Sequence, residues 1–125
     1  MICIIDYGLG NLGSIKNMLR KLGIASEITN DSKKIKSASK VILPGVGSFD
    51  TGINNLRNLG LIELLNEKAL TDKIPILGIC LGAQLMCKFS EEGKLNGLSW
   101  FDAKVLSFKS RFENTYSLTV PNMGW

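Results

Sequence analysis

The chain has 125 residues, 45% hydrophobic, with 15 basic and 11 acidic side chains and a net charge of +4. One domain with a real core fits that length. The mild excess charge, much of it in Lys33, Lys34, Lys36 and Lys40, lacks the interleaved aromatics of a nucleic-acid site and reads as a solvated face. Cys3, Cys80 and Cys87 have neither metal-ligand nor disulfide-framework spacing, no apolar run reaches membrane-spanning length, and no basic leader precedes the first apolar stretch. The expectation is therefore a cytoplasmic, reducing setting with no metal, no cofactor, no membrane and no nucleic acid.

In chain order, Ile2–Ile5 is a short continuous apolar run closed by a glycine turn, the pattern of a strand buried on both faces. Leu12, Ile15, Leu19 and Leu22 recur at helical spacing, with Asn11 as the cap and Gly23 as the stop. Residues 25–29 mix polar and apolar side chains and suit a strand nearer an edge. Residues 41–43 form a second buried strand. Residues 53–70 read as one or two helices with Gly60 as the break, and residues 76–79 as a third buried strand. Leu81, Leu85 and Phe89 suggest a short helix. Residues 91–99 are polar and glycine-containing, hence a loop. Residues 103–108 suit a strand, and Tyr116, Leu118 and Val120 alternate with polar residues as in a half-exposed, antiparallel strand. Strands alternating with helices imply one α/β domain over residues 1–125, built on a mostly parallel, doubly wound sheet.

Three glycine-bearing turns could carry chemistry. Gly78-Ile79-Cys80-Leu81-Gly82 has the G-x-nucleophile-x-G spacing of a strand-to-helix elbow. Small residues two before and two after the nucleophile let the neighbouring backbone pass, and the helix start behind it supplies N–H donors. The Leu81 amide is then placed to bind a developing oxyanion. A lone cysteine is more often a packing residue, and that reading serves for Cys3 and Cys87. For Cys80 the flanking glycines and the preceding buried strand favour the nucleophile. Yet the sequence holds no histidine, the base such a thiol normally uses.

The second turn, residues 43–49 (LPGVGSF), follows a parallel strand and so lies on the same sheet edge. Its exposed amides suit an oxyanion hole, while the lysine and hydroxyl of a phosphate-binding loop are missing. The third, residues 6–13 (DYGLGNLG), matches G-x-G-x-x-G at Gly8, Gly10 and Gly13, with Asp31 available as a ribose ligand. That fingerprint is weak alone and leaves the cysteine elbow unexplained. Gln84 lies one helical turn beyond Cys80, and Glu92 follows in the loop. Each is individually an ordinary surface residue, and together they suit a zwitterionic amino acid.

Residues 80–85 (CLGAQL) with residues 44–49 (PGVGSF) resemble class I glutamine amidotransferases. Adding residues 5–12 (IDYGLGNL) and 121–125 (PNMGW) makes the set similar to the glutaminase subunits of imidazole glycerol phosphate synthases. The resemblance covers the whole chain. It implies a three-layer, flavodoxin-like fold and an enzyme that hydrolyses glutamine to glutamate and ammonia. Cys80 would be the nucleophile, with backbone N–H groups of Val46 and Leu81 as the oxyanion hole. Gly47, Gln84 and Glu92 would hold glutamine. Ammonia would pass to a (β/α)8-barrel cyclase subunit in histidine biosynthesis, with Asn11, Met123 and Trp125 near that interface. The family's triad His and Glu lie beyond the 121–125 motif, so the expectation is an N-terminal portion of a longer subunit, inactive alone. Position 122 is Asn where many relatives carry His. A paralogous subunit for surface-sugar amidination, a non-catalytic docking module and a nucleotide-binding protein are the competing readings.

Overall fold

A computed structural model describes residues 1–108; expectations for Tyr116, Leu118, Val120, Asn122, Met123 and Trp125 lie outside the described residues. Four parallel strands form the main sheet: β1 (Ile2–Ile5), β2 (Ser26–Thr29), β3 (Lys40–Leu43) and β4 (Ile76–Gly78), in the order β2-β1-β3-β4. Cys3 pairs with Glu27 on one side and Val41 on the other, and Leu43 pairs with Gly78. The half-polar strand β2 sits at an edge, where only one neighbour must be satisfied and fewer side chains are buried. Because all four strands run the same way, every turn named above emerges at one edge of the sheet.

Between the strands run α1 (Leu12–Lys21), α2 (Ser32–Lys36), α3 (Phe49–Asn58), α4 (Ile62–Asn66) and α5 (Leu81–Leu85). Asn11 caps α1 by accepting from the Ser14 N–H. Asp31 caps α2 and Ser48 caps α3 in the same manner. Gly60, at φ +67°, separates α3 from α4 as its position predicts, and a π-helical turn, Glu67–Thr71, continues α4. Lys33, Lys34, Lys36 and Lys40 are all exposed. Lys68, by contrast, is buried and donates 2.7 Å bonds to the Lys36 carbonyl and the Asp72 carboxylate.

The two faces of the sheet are covered unequally. Cys3, Ile5, Val41 and Leu43 pack with Ile35, Ile53, Leu56, Leu65, Leu81 and Leu85 into one core. The opposite face carries α1, which has no fully buried residue, and there Ile2, Leu19, Ile42 and Leu77 line an open groove of about 330 Å³. Among the described residues no helix is long and apolar enough to cross a membrane.

The structure corrects one helix. Phe89 does not extend α5; it lies in β5 (Phe89–Ser90), which pairs in parallel with β6 (Lys104–Val105). The helix stops because its last carbonyls are taken from outside it. Leu98 N–H donates to Leu85 at 2.7 Å, Trp100 N–H to Met86 at 2.8 Å and Ser99 N–H to Cys87 at 3.2 Å.

Candidate active site

The elbow is a consequence of close packing between a strand and the helix that doubles back on it. β4 ends at Gly78 and α5 starts at Leu81, so only two residues make the reversal. A Cβ on Gly78 would lie 2.6 Å from the Ala83 Cα, and one on Gly82 would overlap the Leu43 carbonyl. Neither position has space for a side chain. Cys80, at the apex, is forced to φ +54°, ψ −117°. A non-glycine residue held at positive φ stores strain of about 1–3 kcal/mol, which the surrounding packing must hold in place. Cys80 is exposed, while Cys3 is fully buried. Burial pushes the Cys3 thiol up, with the Glu27 carboxylate adding to the effect, and burial likewise pushes up Cys87.

The second turn lies directly beside the first. β3 and β4 are neighbours, so Pro44 and Gly45 leave the sheet next to the elbow, and the Ile79 N–H donates to Leu43 at 3.0 Å. The Leu81 N–H donates to the Gly45 carbonyl at 3.3 Å. In this arrangement one of the two expected oxyanion donors is already engaged by a protein oxygen. Val46 is exposed, and Gly47 sits at φ +113°, the region that glycine enters without penalty. Ser48 then begins α3.

Gln84 and Glu92 do come together. Both line a cleft of about 460 Å³ with Ser90, Glu91 and residues 105–108. Cys80 is not among the cleft's lining residues but sits one turn up the same helix, its carbonyl accepting from the Gln84 N–H at 3.2 Å. Asn11 lies on the exposed surface, occupied as a helix cap. The first glycine turn shows no helix packed on its third glycine: nothing lies within 4 Å of where a Gly13 Cβ would be. A dinucleotide turn needs that glycine for close helix–strand packing. Asp31 is spent on the Lys33 N–H at 2.8 Å.

Two supporting residues escape sequence reasoning. The Asp50 carboxylate, in the first turn of α3, accepts from the Lys94 and Leu95 N–H groups at 3.0 Å. These bonds hold its carboxyl below the usual carboxylate range and tie the Glu92 loop to the helix that follows Gly47. Tyr7 is buried and donates to the Pro44 carbonyl. An acid two residues after a Ser cap is a faint signal for the first; nothing local announces the second.

Comparison with known proteins gives the family of the chain. The model of class-I glutamine amidotransferases matches residues 3–125, and the chain belongs to that family. Among its relatives is the imidazole glycerol phosphate synthase subunit HisH 2 of Methanococcus maripaludis, 54% identical over all of this chain and 60% of that protein. The HisH 2 of Pseudomonas aeruginosa is 42% identical over the same shares, and the HisH of Sulfurimonas denitrificans 49% identical over 127 residues. The chain thus spans about 60% of the length of these relatives. A solved glutamine amidotransferase structure superposes with a TM-score of 0.72 at 20% identity, covering 85% of this chain and 56% of that one. The fold is the flavodoxin-like α/β fold of this family.

Proposed function

We propose that this chain carries the nucleophile-bearing part of the glutaminase subunit of an imidazole glycerol phosphate synthase. Cys80 Sγ, as the thiolate, attacks the side-chain amide carbon of glutamine. The resulting oxyanion is held by the Leu81 N–H and by the N–H of Val46, and ammonia leaves with a proton to give a γ-glutamyl thioester. Water then releases glutamate. Gly47, Gln84 and Glu92 hold the amino acid, and ammonia passes to a barrel-shaped cyclase subunit whose contact surface includes Asn11, Met123 and Trp125. The setting is the cytoplasm, where three free thiols persist.

The observation that carries this reading is Cys80 itself: exposed, at φ +54°, with the Gly45 backbone beside it. For the hole to form, the Gly45 carbonyl must leave the Leu81 N–H. Glycines at 45 and 47 give the intervening backbone freedom to turn. The 125 residues contain no histidine, so the proton shuttle must come from polypeptide outside them. A docking module without chemistry is the second reading, favoured by that same absence.

A glutamine-shaped chloroketone separates the two. Stoichiometric labelling at Cys80, blocked by glutamine and lost in Cys80→Ala, is the expected result; no glutamine-sensitive labelling contradicts the enzyme reading. Steady glutamate release by these 125 residues should not exceed that of the Cys80→Ala control, since losing a triad member costs on the order of 10⁴ or more in rate.

A further inference from the structure

Tyr7 follows β1 and is 1% exposed, yet it is a phenol in the middle of an aliphatic core. A buried hydroxyl needs a partner, and its partner is the carbonyl of Pro44, 2.5 Å away. That places it at the base of the Gly45-Val46-Gly47 turn. A Cβ on Gly45 would overlap the Tyr7 hydroxyl and come within 3.0 Å of the Leu81 Cβ. The backbone of Tyr7 is itself anchored: its carbonyl accepts from the Asn55 side-chain amide at 2.9 Å. Burial, with Cys80 nearby, pushes the phenol far above its ordinary value, so the hydroxyl is a donor at neutral pH.

The turn is therefore fastened at both ends. On one side the proline ring fixes φ of residue 44 and Tyr7 fixes its carbonyl, so the plane of the 44–45 peptide is set. On the other side Ser48 is committed to capping α3. Between these points the Gly45 carbonyl rests on the Leu81 N–H. We propose that Tyr7 is a positioning residue for the glutaminase site, a latch whose bond to Pro44 holds the turn in the arrangement that keeps the oxyanion donor of Leu81 engaged. This rests on the reading of Cys80 as the glutaminase nucleophile. Without the hydroxyl, the 44–45 peptide loses its fixed plane and the Gly45 carbonyl leaves Leu81 more often.

The test compares two reagents on Cys80 in the 125-residue chain and in Tyr7→Phe. Iodoacetamide is attacked at its saturated carbon, loses iodide and forms no oxyanion. A glutamine-shaped chloroketone becomes a tetrahedral anion when the thiolate adds. The ratio of chloroketone to iodoacetamide rates should rise about fivefold in Tyr7→Phe, the factor that one net hydrogen bond imposes on a population ratio. Asn55→Ala, which frees the Tyr7 backbone, should move the ratio the same way by less, and serves if Tyr7→Phe does not fold. A ratio that is unchanged or lower, with labelling still blocked by glutamine, overturns the latch alone. Labelling of the parent chain that ignores glutamine overturns the glutaminase reading, and the latch with it.

Discussion

Two glycine-rich turns leave parallel strands at the same edge of the sheet, and their glycines answer to different constraints. In the elbow after β4, Gly78 and Gly82 have backbone where a side chain would be: the Ala83 Cα in one case, the Leu43 carbonyl in the other. In the turn after β1, Gly8 and Gly10 are there for their positive φ, +83° and +109°, and Gly13 faces open space. The elbow is compressed, whereas the first turn is bent and meets the Gly45 backbone only at Gly10, where a Cβ would lie 3.3 Å from the Gly45 nitrogen. Spacing alone would rank them alike, since both match a known motif; packing separates them, and only the compressed one holds a reactive side chain at its apex.

Substitution should expose the contrast. Gly82→Ala forces its methyl group into the end of β3, a backbone clash that no rotamer change relieves. Loss of about 3 kcal/mol or more is expected in urea unfolding, with Gly78→Ala close behind. A Gly82→Ala protein as stable as the parent would mean that the elbow is looser than its geometry. At the other extreme, Gly13→Ala adds a methyl group to the first turn of α1 in open space. It should raise stability by about 0.4–1 kcal/mol, through loss of unfolded-state freedom, and leave Cys80 labelling unchanged. Destabilisation there would show that the first turn is under a constraint of its own.

Much of this architecture was legible from residue pattern. The runs 2–5 and 41–43 are apolar without alternation because β1 and β3 are the inner strands of the sheet, closed by glycine or proline, whereas the run 76–79, read as equally buried, forms β4 at the other edge of the described sheet, where Leu77 is exposed. The cap Asn11 and the break at Gly60 follow from local chemistry, while α3 begins at Phe49 behind the Ser48 cap, four residues before the apolar pattern suggested. What pattern could not show is what depends on distant backbone. Leu85 and Phe89 are four residues apart and read as one helical face. The helix ends between them because the chain returns at residues 98–100 to take its carbonyls. Helix α2 buries only Ile35 and so has no periodicity to read.

The same limit applies at the site. Cys80, Gln84 and Glu92 could be picked out by type and spacing, and the structure puts the last two in one cleft. That the Leu81 N–H is engaged by Gly45, and that Tyr7 and Asp50 brace the two sides of the turn, depends on contacts between residues 36 to 48 positions apart in the chain. No window of sequence contains them.

The thiols of the native chain give the most direct test of the central claim. Alkylation by iodoacetamide, followed residue by residue by peptide mass mapping, should modify Cys80 well before Cys87 and Cys3, the two held back by burial. Faster modification of Cys3 or Cys87 in the folded protein would contradict the assignment of Cys80 as the nucleophile.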